Sequence, residues 1–201
     1  MLKALFGLNS DTPELKHAAL LGNDGKLMVD FLCSAASLMP FKESEAKIAA
    51  TYMSTQSYRR GEIIIEEASR TRLDFMLWIL EGEATFEAIT GGGVCKPVTV
   101  RLLGPGAEVG TMSMFDGEPR ALRGTASTSL RCAKLTRAQL QSMCQGYPQV
   151  GVKLMAVICL NFAMTLRELT TKFKVHVRLN NALNAELMGK DSPNLRQDNS
   201  L

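Results

Sequence analysis

The sequence has few of the residues that build metal and redox sites. Its 201 residues include only two histidines and five cysteines, and no two cysteines form a C-x-x-C pair. A dispersed, odd-numbered set of cysteines disfavours a disulfide framework and a zinc or iron–sulfur site. Neither histidine has a ligand partner nearby in the sequence. We therefore expect free, buried thiols, no metal and no cofactor.

Strong charge and long hydrophobic runs are also missing. A formal net charge of +3 is too slight to indicate a nucleic-acid partner. The short basic segment 172–178 is interpreted as a solvated face, with contact to a phosphate backbone as its alternative. No uninterrupted apolar run reaches the roughly 18 residues of a membrane span, and residues 1–8 are too short for a signal peptide. These absences predict a cytoplasmic protein without a membrane span.

Catalytic motifs are absent from the sequence as well. There is no Ser-His-Asp, H-E-x-x-H or paired-carboxylate arrangement. Residues 90–93, Thr-Gly-Gly-Gly, are a hairpin turn and not a nucleotide P-loop, because a strand follows them and no Gly-Lys-Ser/Thr is present. The sequence therefore predicts a binding protein and not an enzyme.

What the chain does have is an unusual stretch from residue 103 to residue 127. It begins with a tight Gly-Pro-Gly turn at 104–106 and continues with one apolar helical turn at 110–115. A polar loop, Asp-Gly-Glu-Pro at 116–119, then ends on Arg120. Backbone N–H groups at a helix start, faced by a guanidinium, are typical of an anion pocket. This stretch therefore predicts an anion-binding site.

The stretch 103–127 resembles the phosphate-binding cassette of cyclic nucleotide-binding domains, the family of the bacterial catabolite activator protein and the regulatory subunits of cyclic AMP-dependent kinase. The family pattern is roughly Phe-Gly-Glu-Leu-Ala-Leu, a short loop, and Pro-Arg-x-Ala-Thr. Five residues fit it: Gly110, Ser113, Pro119, Arg120 and Ala121. Thr111 stands where the family has the glutamate that holds the ribose hydroxyl, and Arg123 replaces a threonine or serine near the base. We call 103–127 the cassette.

The resemblance implies a ligand and a set of residues that bind it. Arg120 would pair with the cyclic phosphate of cyclic AMP or cyclic GMP, and backbone N–H groups near Gly110 and Ala121 would complete the site. The implied ligand-binding residues are Gly110, Thr111, Met112, Ser113, Arg120, Ala121, Leu122 and Arg123. The alternative for Arg120 is a surface arginine paired with Glu118 or Asp116, and the alternative for Arg123 is projection into solvent.

The two departures from the family pattern, Thr111 and Arg123, leave the identity of the ligand undetermined. A threonine in place of a carboxylate costs roughly 1–3 kcal/mol of binding, because charge-assisted hydrogen bonds are stronger than neutral ones. The planar guanidinium of Arg123 can donate hydrogen bonds to O6 and N7 of a guanine, or to a second phosphate. A cyclic dinucleotide such as c-di-GMP is therefore the alternative ligand.

Periodicity predicts the elements around the cassette. Helices are expected near 9–20, at 26–38 and at 44–55, and Ser44 is expected to cap the last one. We interpret these helices as packing on the domain itself. The alternative is that they form an interface for a partner protein. Strands with glycine turns are expected from residue 56 to residue 135. The resulting fold class is α+β, an antiparallel β-roll of the double-stranded jelly-roll type with N-terminal helices and a long C-terminal helix.

The C-terminal part reads as two helices. Thr136 caps a helix through Met143, and a longer helix begins near Gln149. An a/d-like apolar seam runs along the second helix, with steps of three and four residues. Its members are Met155, Ile158, Phe162, Leu166, Leu169 and Phe173. The resemblance implies that this helix lids the ligand and forms a homodimer, while the alternative is that it only covers the sheet.

These patterns together predict the domain organisation and the output. A helical segment at 1–55 precedes the roll at 56–135, the C-terminal helices fill 136–188, and a disordered tail fills 189–201. Only 28 residues follow Phe173, too few for a helix-turn-helix domain. We therefore expect a stand-alone sensor that signals to a downstream protein. Two alternatives remain: a ligand-free interaction module, and a nucleic-acid binder.

Overall fold

The computed structural model describes residues 22–71, 74–89 and 97–190. The predicted helix near 9–20, the turn at 90–93, Cys95 and residues 191–201 of the predicted tail lie outside these residues. The first two residues of that tail, 189 and 190, are helical, so the predicted start of the tail was wrong. The chain divides into two compact units, Met1–Ile158 and Cys159–Leu201, which are described separately. The helices are α1 (Gly22–Ser34), α2 (Glu43–Thr51), α3 (Thr111–Asp116), α4 (Arg137–Gly146) and α5 (Pro148–Lys190).

Eight strands in the first unit form two four-stranded antiparallel sheets. They are β1 (Ser54–Tyr58), β2 (Ile63–Ile65), β3 (Phe75–Glu81), β4 (Ala84–Ile89), β5 (Pro97–Leu103), β6 (Glu108–Val109), β7 (Arg123–Ala126) and β8 (Leu130–Thr136). The first sheet has the order β1-β8-β3-β6, and the second has the order β2-β7-β4-β5. This arrangement confirms the predicted antiparallel β-roll within an α+β fold.

The core of the roll lies between the two sheets. Alternate residues of β3 and β8 point into it, because successive side chains of a strand face opposite sides. Leu77 and Ile79 of β3 meet Cys132 of β8 and Phe86 of β4 in one buried cluster. Phe86 lies so close to Gly124 that a Cβ atom there would touch its ring, so the core is tightly filled at this point.

The N-terminal helices pack against the roll, as the intramolecular interpretation predicted. Met28 and Leu32 of α1 are buried. Asp24 accepts a hydrogen bond from Thr55 Oγ1 at 2.9 Å and pairs with Arg131 of β8 at 3.0 Å. Arg131 also pairs with Glu81. These contacts attach α1 to the first sheet.

The predicted bounds of these two helices were wrong. α1 begins at Gly22 instead of residue 26, and it ends at Ser34 instead of residue 38. α2 begins one residue earlier than expected and ends at Thr51, with Lys42 at the N-cap position instead of Ser44. The backbone N–H of Lys42 donates to the Glu45 carboxylate at 2.8 Å, so a side chain inside the helix closes this end.

The two C-terminal helices begin as predicted. Thr136 caps α4, because its Oγ1 accepts from Gln139 N at 3.2 Å while Gln139 Oε1 accepts from Thr136 N at 2.8 Å. α5 follows from Pro148, and Val150, Leu154 and Ile158 are buried in the first unit. By length and composition alone, the 148–187 segment of α5 is apolar enough to cross a membrane. This is weak evidence for a span, since core helices meet the same test.

The expectation that the cysteines are buried is correct for only part of the set. Cys132 is buried in the core, and burial raises the pKa of its thiol to about 12. Cys144 is half-buried, whereas Cys33 and Cys159 are exposed on helix surfaces. Helical spacing alone did not distinguish the solvent face from the packed face for these two residues.

Ala68 has a left-handed backbone conformation. Its φ of +57° is a positive value, which non-glycine residues rarely adopt. Its backbone N–H donates to the Arg120 carbonyl oxygen at 2.8 Å, which holds the 66–71 loop against the cassette. An L-residue in this conformation costs roughly 1–2 kcal/mol, because Cβ approaches the following carbonyl oxygen.

We predict that Ala68→Gly stabilises the protein by about 0.5–1 kcal/mol, because relief of this strain exceeds the entropy that glycine adds to the unfolded chain. Ala138→Gly in α4 is the control and should destabilise by about 1 kcal/mol, as glycine does in a helix. Urea denaturation followed by circular dichroism measures both changes. A loss of stability in Ala68→Gly would contradict the strain.

Candidate ligand-binding site

The cassette begins where β6 passes into the short helix α3. Val109 is buried, and Gly110 occupies the N-cap position with a left-handed φ of +80°. Thr111, Ser113 and Met114 of α3 are buried, whereas Met112 is 61% exposed. One face of the helix therefore packs on the roll, and the predicted single buried turn is present.

Arg120 is buried beside this helix start and only 5% exposed. Its Nη2 donates to the Phe75 carbonyl oxygen at 3.0 Å, and its Nη1 donates to the Gly110 carbonyl oxygen. The guanidinium carbon lies 5.0 Å from the centre of the Phe75 ring, within the range of a cation–π contact. The guanidinium is thus inside the fold, and the alternative of a surface arginine is wrong.

The electrostatics of Arg120 follow from this burial. Loss of water around the guanidinium lowers its pKa below the ordinary value, while the charges of Asp74 and Asp116 act in the opposite direction. A charge that burial disfavours gains more from an opposite charge than an exposed one does. The cassette therefore holds a cation for which a bound anion is favourable.

Thr111 directs its hydroxyl to a neighbouring carboxylate. Its Oγ1 donates to Glu108 Oε2 at 3.1 Å, and Glu108 belongs to β6, three residues earlier. A carboxylate therefore lies next to the threonine that replaces the family glutamate. The sequence interpretation missed Glu108, and the only available signal was its spacing of three residues from Thr111.

The remaining predicted residues point away from the buried part of the cassette. Ala121 and Arg123 are exposed, and Leu122 is half-buried against the core. Arg123 stands opposite Glu87 in the β4–β7 pairing. The structure thus brings Gly110, Thr111, Ser113 and Arg120 together at the cassette, and it places Met112, Ala121 and Arg123 at the surface.

A cavity of about 280 Å³ lies beside Arg120. Arg120 is the one residue of the predicted site that lines it. The rest of its wall includes Phe75 of β3, Lys134 of β8 and the three isoleucines of β2. No sequence pattern indicated this group, because its members come from strands of both sheets.

Residues 55–147 match the family model described as cyclic nucleotide-binding domain. The match covers 93 of the 201 residues, and over this segment the sequence is similar to the cyclic nucleotide-binding domain family. The predicted resemblance is confirmed over the roll and the helix that follows it. Comparison with curated proteins gives no match.

Solved structures show the same fold. A cyclic nucleotide-binding domain from Methylobacillus flagellatus is similar with a TM-score of 0.66 and 24% identity, over 72% of this chain and 79% of that one. The catabolite activator protein of Thermus thermophilus is similar with a TM-score of 0.56 and 21% identity, over 73% of this chain and 63% of that one. The regulatory domain of Toxoplasma gondii PKA, crystallised with cAMP, is similar with a TM-score of 0.51 and 23% identity, over 65% of this chain and 48% of that one.

We predict that Gly110→Ala destabilises the protein more than Gly117→Ala does. Both glycines have a positive φ, so both substitutions introduce backbone strain of about 1 kcal/mol. A Cβ atom on Gly110 would also collide with the Arg120 guanidinium, whereas one on Gly117 meets nothing within 4 Å. Overpacking adds about 1–3 kcal/mol at Gly110 alone. Urea denaturation measures the difference, and equal losses would contradict the close approach of Arg120.

Proposed function

We propose that this chain is a regulatory domain that binds a cyclic nucleotide at the cassette and signals through the helices after the roll. The observation that carries this proposal is the buried Arg120, held at the start of α3 by the carbonyls of Gly110 and Phe75. This position supports the proposal, because the resemblance implies that the matching arginine of the family pairs with the cyclic phosphate. Cyclic AMP and cyclic GMP are the first ligands to test.

The Thr111–Glu108 pair supports recognition of the sugar. In the family a glutamate at the position of Thr111 accepts from the ribose hydroxyl. Here the Glu108 carboxylate lies within hydrogen-bond distance of the Thr111 hydroxyl. We propose that the two side chains together contact the ribose, with Glu108 accepting in place of the family glutamate.

A contact between α3 and α4 supports signalling through the C-terminal helices. The Arg137 Nε donates to the Met114 carbonyl oxygen at 2.8 Å, and the Arg137 backbone N–H donates to the Asp74 carbonyl oxygen at 2.7 Å. The first residue of α4 therefore contacts both the cassette helix and Asp74, the residue before β3. A shift of α3 on ligand binding would reach α4 through this residue, and a partner protein would read the change.

An exposed apolar row on α5 supports a homodimer. Within the second unit, five exposed apolar residues follow one another at steps of three, four, ten and four, so that all fall on the a and d positions of one heptad repeat: Leu166, Leu169, Phe173, Leu183 and Leu187. This is the a/d pattern of a coiled coil, and Asn180 occupies an a position of the same seam, where one asparagine favours two strands in register. We propose that two copies pair along this row.

The alternative function is an interaction module that binds c-di-GMP or no nucleotide. Arg123 favours the dinucleotide form, because its exposed guanidinium is available for a second phosphate. The exposed row on α5 favours a protein partner in either form. Titration with cyclic mononucleotides and c-di-GMP distinguishes a module that binds the dinucleotide from one that binds no nucleotide.

We predict that the protein binds cyclic AMP or cyclic GMP and that Arg120→Ala weakens binding by about 10- to 150-fold, the equivalent of one lost charge-assisted contact. Calorimetry against cyclic AMP, cyclic GMP and c-di-GMP measures this, with circular dichroism to show that the variant is folded. Arg120→Lys keeps the positive charge but lacks the planar guanidinium, so we expect its affinity to lie between those of the wild type and Arg120→Ala.

Arg123→Ala is the matched control for this titration. It should leave cyclic mononucleotide binding unchanged, and a selective loss of c-di-GMP binding would support the dinucleotide alternative. Absence of heat with all three ligands in the folded wild-type chain would contradict the nucleotide proposal and favour the interaction module.

We predict that Phe173→Glu converts a dimer into a monomer, because it places a charge in the apolar seam. Val175→Glu is the matched control, since Val175 is also exposed on α5 but faces away from the row. Sedimentation equilibrium measures the mass of each variant. A monomeric wild-type chain, or dissociation by both variants, would contradict pairing along the row.

A further inference from the structure

A histidine interrupts the exposed apolar row of α5. In the heptad of this row Leu169 and Leu183 occupy d positions, and His176 occupies the d position between them. His176 is exposed in the second unit, as its neighbours in the row are. A d residue of a coiled coil inserts into the facing helix, so pairing along the row would cover this histidine.

The heptad determines what His176 would meet in a second copy. In a parallel pair in register, each layer contains the same residue of both copies, so His176 faces His176. Asn180 occupies the next a position, where a single asparagine specifies two strands in register. The other residues around the ring would be the a and e residues of the second copy, namely Phe173, Val177 and Asn180.

A hydrogen bond within α5 fixes which nitrogen of the His176 ring titrates. Nδ1 donates to the Lys172 carbonyl oxygen at 2.9 Å, because a carbonyl oxygen can only accept. In the neutral ring Nε2 therefore has the lone pair, and it takes up the proton when the ring becomes charged. Histidine is the side chain that ordinarily changes charge between pH 5 and pH 8.

The charges near His176 do not compensate an imidazolium ion. Lys172 lies one helical turn earlier and pairs with Glu168 at 2.7 Å, and Glu168 is the nearest carboxylate of α5 along the sequence. Lys174 and Arg178 occupy the outer b and f positions of the heptad. The ionisable groups that face the ring from the second copy are its own histidine and lysine at the same positions. Protonation would therefore add positive charge to a layer with no negative partner among the described residues.

We propose that α5 pairs in parallel with a second copy of this chain, and that the two His176 side chains form an acid-sensitive layer of the interface. This inference rests on the dimer of the proposed function and not on nucleotide binding. Two neutral imidazoles can share a covered layer, whereas two imidazolium ions repel each other where water is displaced. Paired copies therefore bind fewer protons here than separated copies do. Because the separated form binds more protons, a fall in pH favours dissociation.

Sedimentation equilibrium of the full chain at pH 7.5 and pH 5.5 tests the pH dependence. If pairing excludes one of the two protons, the dimer dissociation constant rises about tenfold from the higher pH to the lower one. Carboxyl groups with ordinary pKa values stay ionised at both. His176→Leu should tighten the dimer and remove the pH dependence. His176→Gln, which is polar but does not titrate, should remove the dependence alone, and circular dichroism checks that each variant is folded.

Cys159 tests the orientation of the two helices. It is exposed and occupies an a position of the same heptad, seven residues before Leu166. In a parallel pair the two Cys159 thiols meet in one layer, so oxidation with diamide at pH 7.5 should link the copies covalently. Cys33→Ser, which removes another exposed thiol, should still be linked, whereas Cys159→Ser should not. A dimeric wild-type chain without this cross-link would overturn the facing histidines.

The outcomes separate this inference from the proposed function. An equal dissociation constant at both pH values, or a pH dependence that persists in His176→Leu, would overturn the histidine layer and leave the proposed dimer intact. A wild-type chain that is monomeric at both pH values would contradict the proposed dimer and overturn the histidine layer with it. Calorimetry with cyclic AMP tests nucleotide binding independently of these results.

Discussion

The Arg120 guanidinium donates hydrogen bonds to two backbone carbonyls, and these bonds connect the cassette to the first sheet. One carbonyl belongs to Gly110, at the start of the cassette helix, and the other to Phe75, at the start of β3. The backbone of Arg120 also accepts from Ala68, which adds the loop after β2. Three separate segments thus meet at one residue. Because the same residue carries the charge of the candidate site, a substitution there affects folding and binding together.

The fold was predictable because its signals are local. Glycine turns, β-branched runs and the Thr136 cap each act within a few residues, and they predicted the roll and the start of α4. Helix bounds were less predictable at the N-terminus. α1 continues through residues 22–25 because packing against the roll outweighs the low helix propensity of two glycines. Lys42 is at the N-cap position of α2 because the Glu45 carboxylate accepts a hydrogen bond from its backbone N–H. The residue type at the N-cap position alone did not predict this arrangement.

The site was predictable only where one continuous segment forms it. Arg120 and Gly110 lie ten residues apart in the cassette, and the motif predicted that they would meet. Lys134 escaped prediction because both faces of β8 are buried, so alternation did not distinguish the inner face from the outer one. Glu108 escaped because its role depends on the side chain of Thr111, and the motif contains no residue at its position. Contacts between distant strands are set by register, which the motif does not encode.

The left-handed backbone of Ala68 has an evolutionary consequence. Alanine and glycine codons differ by a single base, so a less strained version of this chain is one point mutation away. Natural proteins need only enough stability to remain above the threshold for function, and selection does not remove a residue that costs less than that margin. Ala68 therefore indicates that the rest of the roll has a stability reserve large enough to tolerate the strain.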